Sequence, residues 1–127
     1  MLTLLDALCR APQRAVPTVL EPAMRRLAEE PTPPPTVSEL ARECHVSEAY
    51  FRKLFRESIG EAPAAYRKRL CLERACAYLT YGDISVGEIA GLLGYASVSH
   101  FIKEFKSTYG ASPLSYRKAS ASRRVGE

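Results

Sequence analysis

Apolar residues recur along this chain at helical spacing, and no stretch alternates with the period of two that marks a strand, so the pattern predicts an all-α protein. Two short stripes stand out: Val37, Leu40, Ala41 and Cys44, then Val86, Ile89, Ala90 and Leu93, each at i, i+3, i+4 and i+7. A start signal precedes each. Thr36-Val-Ser-Glu39 and Ser85-Val-Gly-Glu88 both fit the capping box, in which the hydroxyl accepts the N–H of the fourth residue and the glutamate side chain returns to the cap.

A break follows each short helix. Gly94 falls where a left-handed residue is needed, and His45 takes that slot in the first copy. New N-caps at Ser47 and Ser97 open longer helices that end at Gly60 and Gly110, after which Pro63 and Pro113 take the first position of another helix. A short helix, a tight turn and a longer helix form a helix-turn-helix. This chain carries two. Residues 47 to 68, SEAYFRKLFRESIGEAPAAYRK, and 97 to 118, SVSHFIKEFKSTYGASPLSYRK, share Ser47/Ser97, Phe51/Phe101, Lys53/Lys103, Phe55/Phe105, Gly60/Gly110, Pro63/Pro113, Tyr66/Tyr116, Arg67/Arg117 and Lys68/Lys118.

Between the copies, a helix from Pro63 to about Thr80, closed by Tyr81-Gly82-Asp83, forms a strut of roughly 26 Å at about 1.5 Å per residue. Upstream, a helix from roughly Val19 to Glu30 reaches PTPPP at 31–35, whose prolines lack donors and force extended backbone. The expected organisation is a linker or remnant at 1–18, a first helix-turn-helix subdomain at 19–62, a linking helix at 63–80, a second subdomain at 81–121 and a tail at 122–127.

Composition narrows the function classes. Eighteen Lys and Arg against fourteen Asp and Glu leave a net charge of +4. That is weak evidence for a polyanionic partner, but charges cancel over residues 1–36 and the excess lies in the doubled part. The longest uncharged run, Ile89 to Ile102, is too short to span a bilayer, and MLTLLDALC has Asp6 at its centre, no basic leader and no cleavage site. A soluble cytoplasmic protein is expected. Cys9, Cys44, Cys71 and Cys76 match neither zinc-ribbon pairs nor a disulfide scaffold, which points to reduced thiols, some in the core. His45 and His100 lie in a turn and on a helix surface, and GEIAGLLG lacks the P-loop lysine, so neither a nucleophilic triad nor a phosphate loop is indicated. No enzyme, metal or cofactor is expected.

The capped short helix, the S-x-x-x-F-x-x-x-F helix, the G-x-x-P-x-x-Y step in both copies and the closing GYASVSHFIKEFKSTYGASPLSYRK together resemble the AraC/XylS family of bacterial transcription regulators, over about residues 36 to 119. The resemblance implies that each unit inserts its second helix into a DNA major groove and that the linking helix sets their separation. It also implies double-stranded DNA and RNA polymerase as partners. The segment itself is expected to be monomeric, and a longer protein to dimerise through an N-terminal domain. Two successive groove segments on one face lie about 34 Å apart, which a pair of helices on a strut suits. A helical interaction module without specific DNA binding is the alternative.

Phe51, Leu54 and Phe55 share one face of the first recognition helix and are read as core, as are Phe101 and Phe105 in the second. Carried over from the family, base-edge positions fall on Ala49, Arg52 and Lys53; Arg52 suits bidentate bonding to guanine, and Ala49 reaches only a thymine methyl or nothing. The matching positions in the second copy are Val98, Ser99, His100, Ile102 and Lys103. Val98 and Ile102 either touch thymine methyls or complete the core. Arg56 and Lys106, with the helix starts at Thr36, Ser47, Ser85 and Ser97, are candidate phosphate contacts. Cys71 stands where the family usually has a basic residue, which puts that position's ion pair or phosphate contact in doubt.

Overall fold

The computed structural model describes residues 16–126, with side chains through Arg123. Among these residues there are seven α-helices and no strand: α1 (Glu21–Ala28), α2 (Val37–Glu43), α3 (Glu48–Ile59), α4 (Pro63–Tyr81), α5 (Val86–Leu92), α6 (Val98–Tyr109) and α7 (Pro113–Gly126). The expected remnant at 1–18, with Cys9, lies up to residue 15 outside the described residues. The segment expected as a tail, from residue 122, continues α7 as far as Gly126. No helix among the described residues is long and apolar enough to cross a membrane.

The described residues divide into two compact units, one holding residues 16–29 with Thr36–Ala64, the other Glu30–Pro35 with Ala65 onward. In the first, α1 packs on α2 and α2 on α3. Leu20, Ala23, Leu27, Leu40, Ala41, Cys44, Phe51 and Phe55 are its buried apolar residues. The first helix is shorter than the apolar pattern predicts. Pro22 sits in its first turn, where a missing N–H costs nothing, and a 3-10 turn at Thr18–Leu20, closed by Leu20 N–H to Pro17 O at 2.9 Å, precedes it. Arg26 donates to Glu43 at 2.6 Å and ties α1 to α2, a partly exposed pair that contributes on the order of 1 kcal/mol or less.

The second unit is built around Cys71, Leu72, Ala75 and Leu79 of α4, Ile89 and Ala90 of α5, Leu93 just after it, and Phe101 and Phe105 of α6. Cys71 is therefore core. Its thiol lies 3.8 Å from Leu93 O, and burial pushes its pKa up, as it does for Cys44 in the other unit, so both act as small apolar residues.

The proline segment groups with this second unit, whereas the expected first subdomain at 19–62 includes it. Arg67 of α4 grips it: Nε donates to Pro34 O at 3.1 Å and Pro35 O at 2.9 Å, and Nη2 to Pro34 O at 2.8 Å. Arg74, two turns on, donates to Pro31 O and to Thr32 Oγ1. Pro34 and Pro35 are buried, and backbone carbonyls in buried segments need donors. Arg117 plays the matching part in the second copy, donating to Leu79 O and Tyr78 O, both at 3.3 Å, and to Gly82 O at 3.5 Å. The recurrence of Arg67 and Arg117 thus has a structural meaning. Each arginine secures the chain just ahead of a capping box.

Candidate nucleic-acid interface

Both capping boxes form as the sequence predicts. Glu39 N–H donates to Thr36 Oγ1 at 3.1 Å while Thr36 N–H donates to Glu39 Oε1 at 3.0 Å; the Ser85 and Glu88 pair repeats this at 3.0 and 2.9 Å. The turns that follow are left-handed where expected, at His45 (φ 60°) and Gly94 (φ 86°). Ser47 Oγ then accepts Tyr50 N–H and Ser97 Oγ accepts His100 N–H, both at 3.1 Å, which start α3 and α6. Gly60 and Gly110, at φ 98° and 77°, end them. These local devices give each unit a second helix with a defined start, end and rotation.

That rotation is set by the phenylalanines. Phe51 and Phe55 are buried, their rings 5.6 Å apart, and Phe101 and Phe105 are buried 5.9 Å apart. Residues on the far side are consequently turned out. Ala49, Arg52, Lys53 and Arg56 are exposed on α3; Val98, Ser99, His100, Ile102, Lys103 and Lys106 are exposed on α6. Leu54, read from sequence as core, is half-buried, and Tyr50 joins the exposed set. Val98 and Ile102 keep 41% and 36% of their surface, so they do not complete the core. Thr36, Ser47, Ser85 and Ser97 are exposed at their helix starts; each hydroxyl accepts its cap bond and keeps an O–H to donate.

Electrostatics differ between the two faces. On α3, Arg52 pairs with Glu48 at 3.0 Å, an exposed i,i+4 contact that the helical spacing of the two residues makes possible. On α6, Glu104 accepts from Tyr95 Oη at 2.8 Å and lies 3.1 Å from His100 Nε2, a constellation that the linear reading did not single out. The i,i+4 spacing of His100 and Glu104 was the available signal. Burial, then the bond to Glu104, push the Tyr95 phenol well above its ordinary value of 10.0.

A family model described as a helix-turn-helix domain matches residues 40–119. RclR, an RCS-specific HTH-type transcriptional activator of Escherichia coli (strain K12), is 36% identical over 80 residues, 63% of this chain and 28% of that protein. The DNA-binding domain of AdpA, a global transcriptional factor crystallised in complex with a target DNA, is similar with a TM-score of 0.74 and 29% identity, covering 84% of this chain and 98% of that one. A transcriptional regulator with an AraC-type DNA-binding domain from Chromobacterium violaceum gives a TM-score of 0.68 at 26% identity, over 81% of this chain and 92% of that one. The chain spans about a quarter of the length of the curated relatives it matches. A helix-turn-helix built twice, capped alike in both copies and matched by the family model over more than half of the sequence, makes this chain a member of the AraC-type helix-turn-helix family.

Proposed function

We propose that this chain binds double-stranded DNA sequence-specifically and regulates transcription, with α3 and α6 each entering one of two adjacent major-groove segments. The observation that carries the reading is the doubled outward face: in both units a buried phenylalanine pair turns a helix surface with basic residues to solvent, Arg52, Lys53 and Arg56 on α3 and Lys103 and Lys106 on α6. A major groove admits an α-helix, and the N-terminal residues of such a helix meet base edges. Helix α4, 19 residues and so roughly 28 Å at about 1.5 Å per residue, is the strut of the proposed arrangement of subdomains 19–62 and 81–121 about a linking helix 63–80. The likeness to the AdpA domain supports the same reading.

In this reading Ala49, Arg52 and Lys53 face bases in the first segment, and Val98, Ser99, His100, Ile102 and Lys103 in the second. Arg52 must release Glu48 to reach a guanine. An exposed i,i+4 pair stabilises by only about 0.3–0.5 kcal/mol, whereas a bidentate arginine–guanine contact discriminates by about 1–3 kcal/mol, so the base wins. Exposed Val98 and Ile102 suit thymine methyls. Arg56 and Lys106 supply charge to phosphates, and Thr36, Ser47, Ser85 and Ser97 supply hydroxyl and helix-start N–H donors. Cytoplasmic location, RNA polymerase as partner and dimerisation through a further N-terminal domain of a longer protein complete the proposal.

Selection of preferred sites from random duplex DNA, with affinity followed across a salt series, tests it. Specific enrichment is expected, with Arg52→Ala relaxing preference at one position at a cost of about 1–3 kcal/mol. Lys106→Ala is expected to weaken all sequences alike and to flatten the salt slope by about one unit. Equal losses on selected and random duplex for Arg52→Ala contradict its role as a base reader.

A further inference from the structure

Glu104 is an odd residue for its position. Its counterpart in the first copy is Leu54, and the counterpart of His100 is Tyr50, so the two units keep the same phenylalanine frame and diverge here. A carboxylate with only 24% of its side-chain surface exposed loses hydration, and that loss is offset by hydrogen bonds donated to it. Two donors converge on it. Tyr95 Oη, from the turn before α6, bonds Oε1 at 2.8 Å, and the His100 ring sits with Nε2 at 3.1 Å from Oε2. Tyr95 also stacks edge-on against His100, with centroids 5.4 Å apart and planes at 82°, and packs on buried Phe101 at 5.2 Å. The imidazole is thus held by a bond at one nitrogen and by a T-shaped contact with the Tyr95 ring, yet its side chain remains 56% exposed.

A carboxylate accepts and does not donate, so the proton of a neutral His100 ring must sit on Nε2, and Nδ1 is then a bare acceptor. In a major groove an acceptor finds a donor only on the amino groups of cytosine N4 and adenine N6. We propose that Glu104 and Tyr95 are positioning residues that fix the tautomer and orientation of His100, so that Nδ1 makes the second recognition helix select cytosine or adenine at the base it meets. This rests on the reading above that α6 enters a major groove. It adds a base preference set by residues that touch no base.

Two measurements at about pH 8, above the usual imidazole range, test it. Long-range proton–nitrogen spectra of the free ¹⁵N-labelled protein, in which His100→Gln identifies the signal among two histidines, should show Nδ1 without a proton. In Glu104→Gln, whose amide both donates and accepts, the tautomers should mix, and Tyr95→Phe should have a smaller effect in the same direction. Site selection should then give a cytosine or adenine preference of about fivefold or more at one position of the second half-site, falling below about twofold in Glu104→Gln while the first half-site is unchanged. A proton on Nδ1 in the wild type overturns the inference, as does a base preference that Glu104→Gln leaves intact in a protein that still binds DNA. Absence of any specific binding by the wild type removes the DNA reading and this inference with it, and the nitrogen spectra report on the tautomer in either case.

Discussion

Replacing Arg67 by alanine should destabilise the second unit by about 3 kcal/mol, although the residue lies in no buried cluster of apolar side chains. Its guanidinium makes three contacts of 2.8–3.1 Å with two carbonyls, those of Pro34 and Pro35. Both prolines are buried, so water does not readily replace the lost donors. Hydrogen bonds to a charged group contribute about 1.5–3 kcal/mol, and stranding a buried acceptor costs about 1–3 kcal/mol; these overlap, so about 3 kcal/mol for the two carbonyls is the estimate. Arg117→Ala supplies the internal comparison. Its contacts are longer, at 3.3–3.5 Å, and Tyr78 O already accepts Gly82 N–H at 2.9 Å, so about 1 kcal/mol is expected. Urea unfolding followed by far-UV circular dichroism, with midpoints compared at equal m, measures both. An Arg67→Ala midpoint within about 0.5 kcal/mol of wild type, the range of an ordinary surface substitution, refutes the reasoning. So does a larger loss for Arg117→Ala.

Gly94→Ala should cost about 1–2 kcal/mol in the same assay, because φ is 86° and the new Cβ would stand 3.3 Å from Pro33 Cβ; an unchanged midpoint contradicts the close packing of the proline segment on that turn. At alkaline pH, burial and the bond to Glu104 hold the Tyr95 phenol above its ordinary value of 10.0, so above that pH the folded state keeps a proton that the unfolded state releases. Stability is therefore full below pH 10.0 and falls as pH rises toward the folded-state value; Tyr95→Phe should shallow that fall, and an equally steep fall in the variant contradicts it.

The legible part of this fold was its punctuation. Capping boxes at Thr36 and Ser85, left-handed turns at His45 and Gly94, glycine stops at Gly60 and Gly110 and proline starts at Pro63 and Pro113 are local signals, each satisfied within a few residues, and their repetition reinforces every one. The outward placing of Arg52 and Lys53 on α3 and of Lys103 on α6 follows from the phenylalanine spacing for the same reason. Long-range pairings were not legible. Arg67 reaches Pro34 and Arg74 reaches Pro31 across an intervening helix-turn-helix, and nothing in the spacing of PTPPP says which unit it joins. Whether Val98 and Ile102 are core depended on how far α6 is rotated, which Phe101 and Phe105 settle only once packed. Glu104 escaped notice because a charged residue on a helix reads as solvated until Tyr95 and His100 are seen around it.

The central claim is that both recognition helices of one chain engage one duplex. Hydroxyl-radical footprinting of this chain on a selected site, at a concentration where it is monomeric, tests that most directly. The account predicts two protected patches on the same face of the DNA, about one helical turn or roughly 34 Å apart, with Lys53→Ala weakening one patch and Lys103→Ala the other. Protection confined to one patch, or two patches that respond alike to both substitutions, would contradict it.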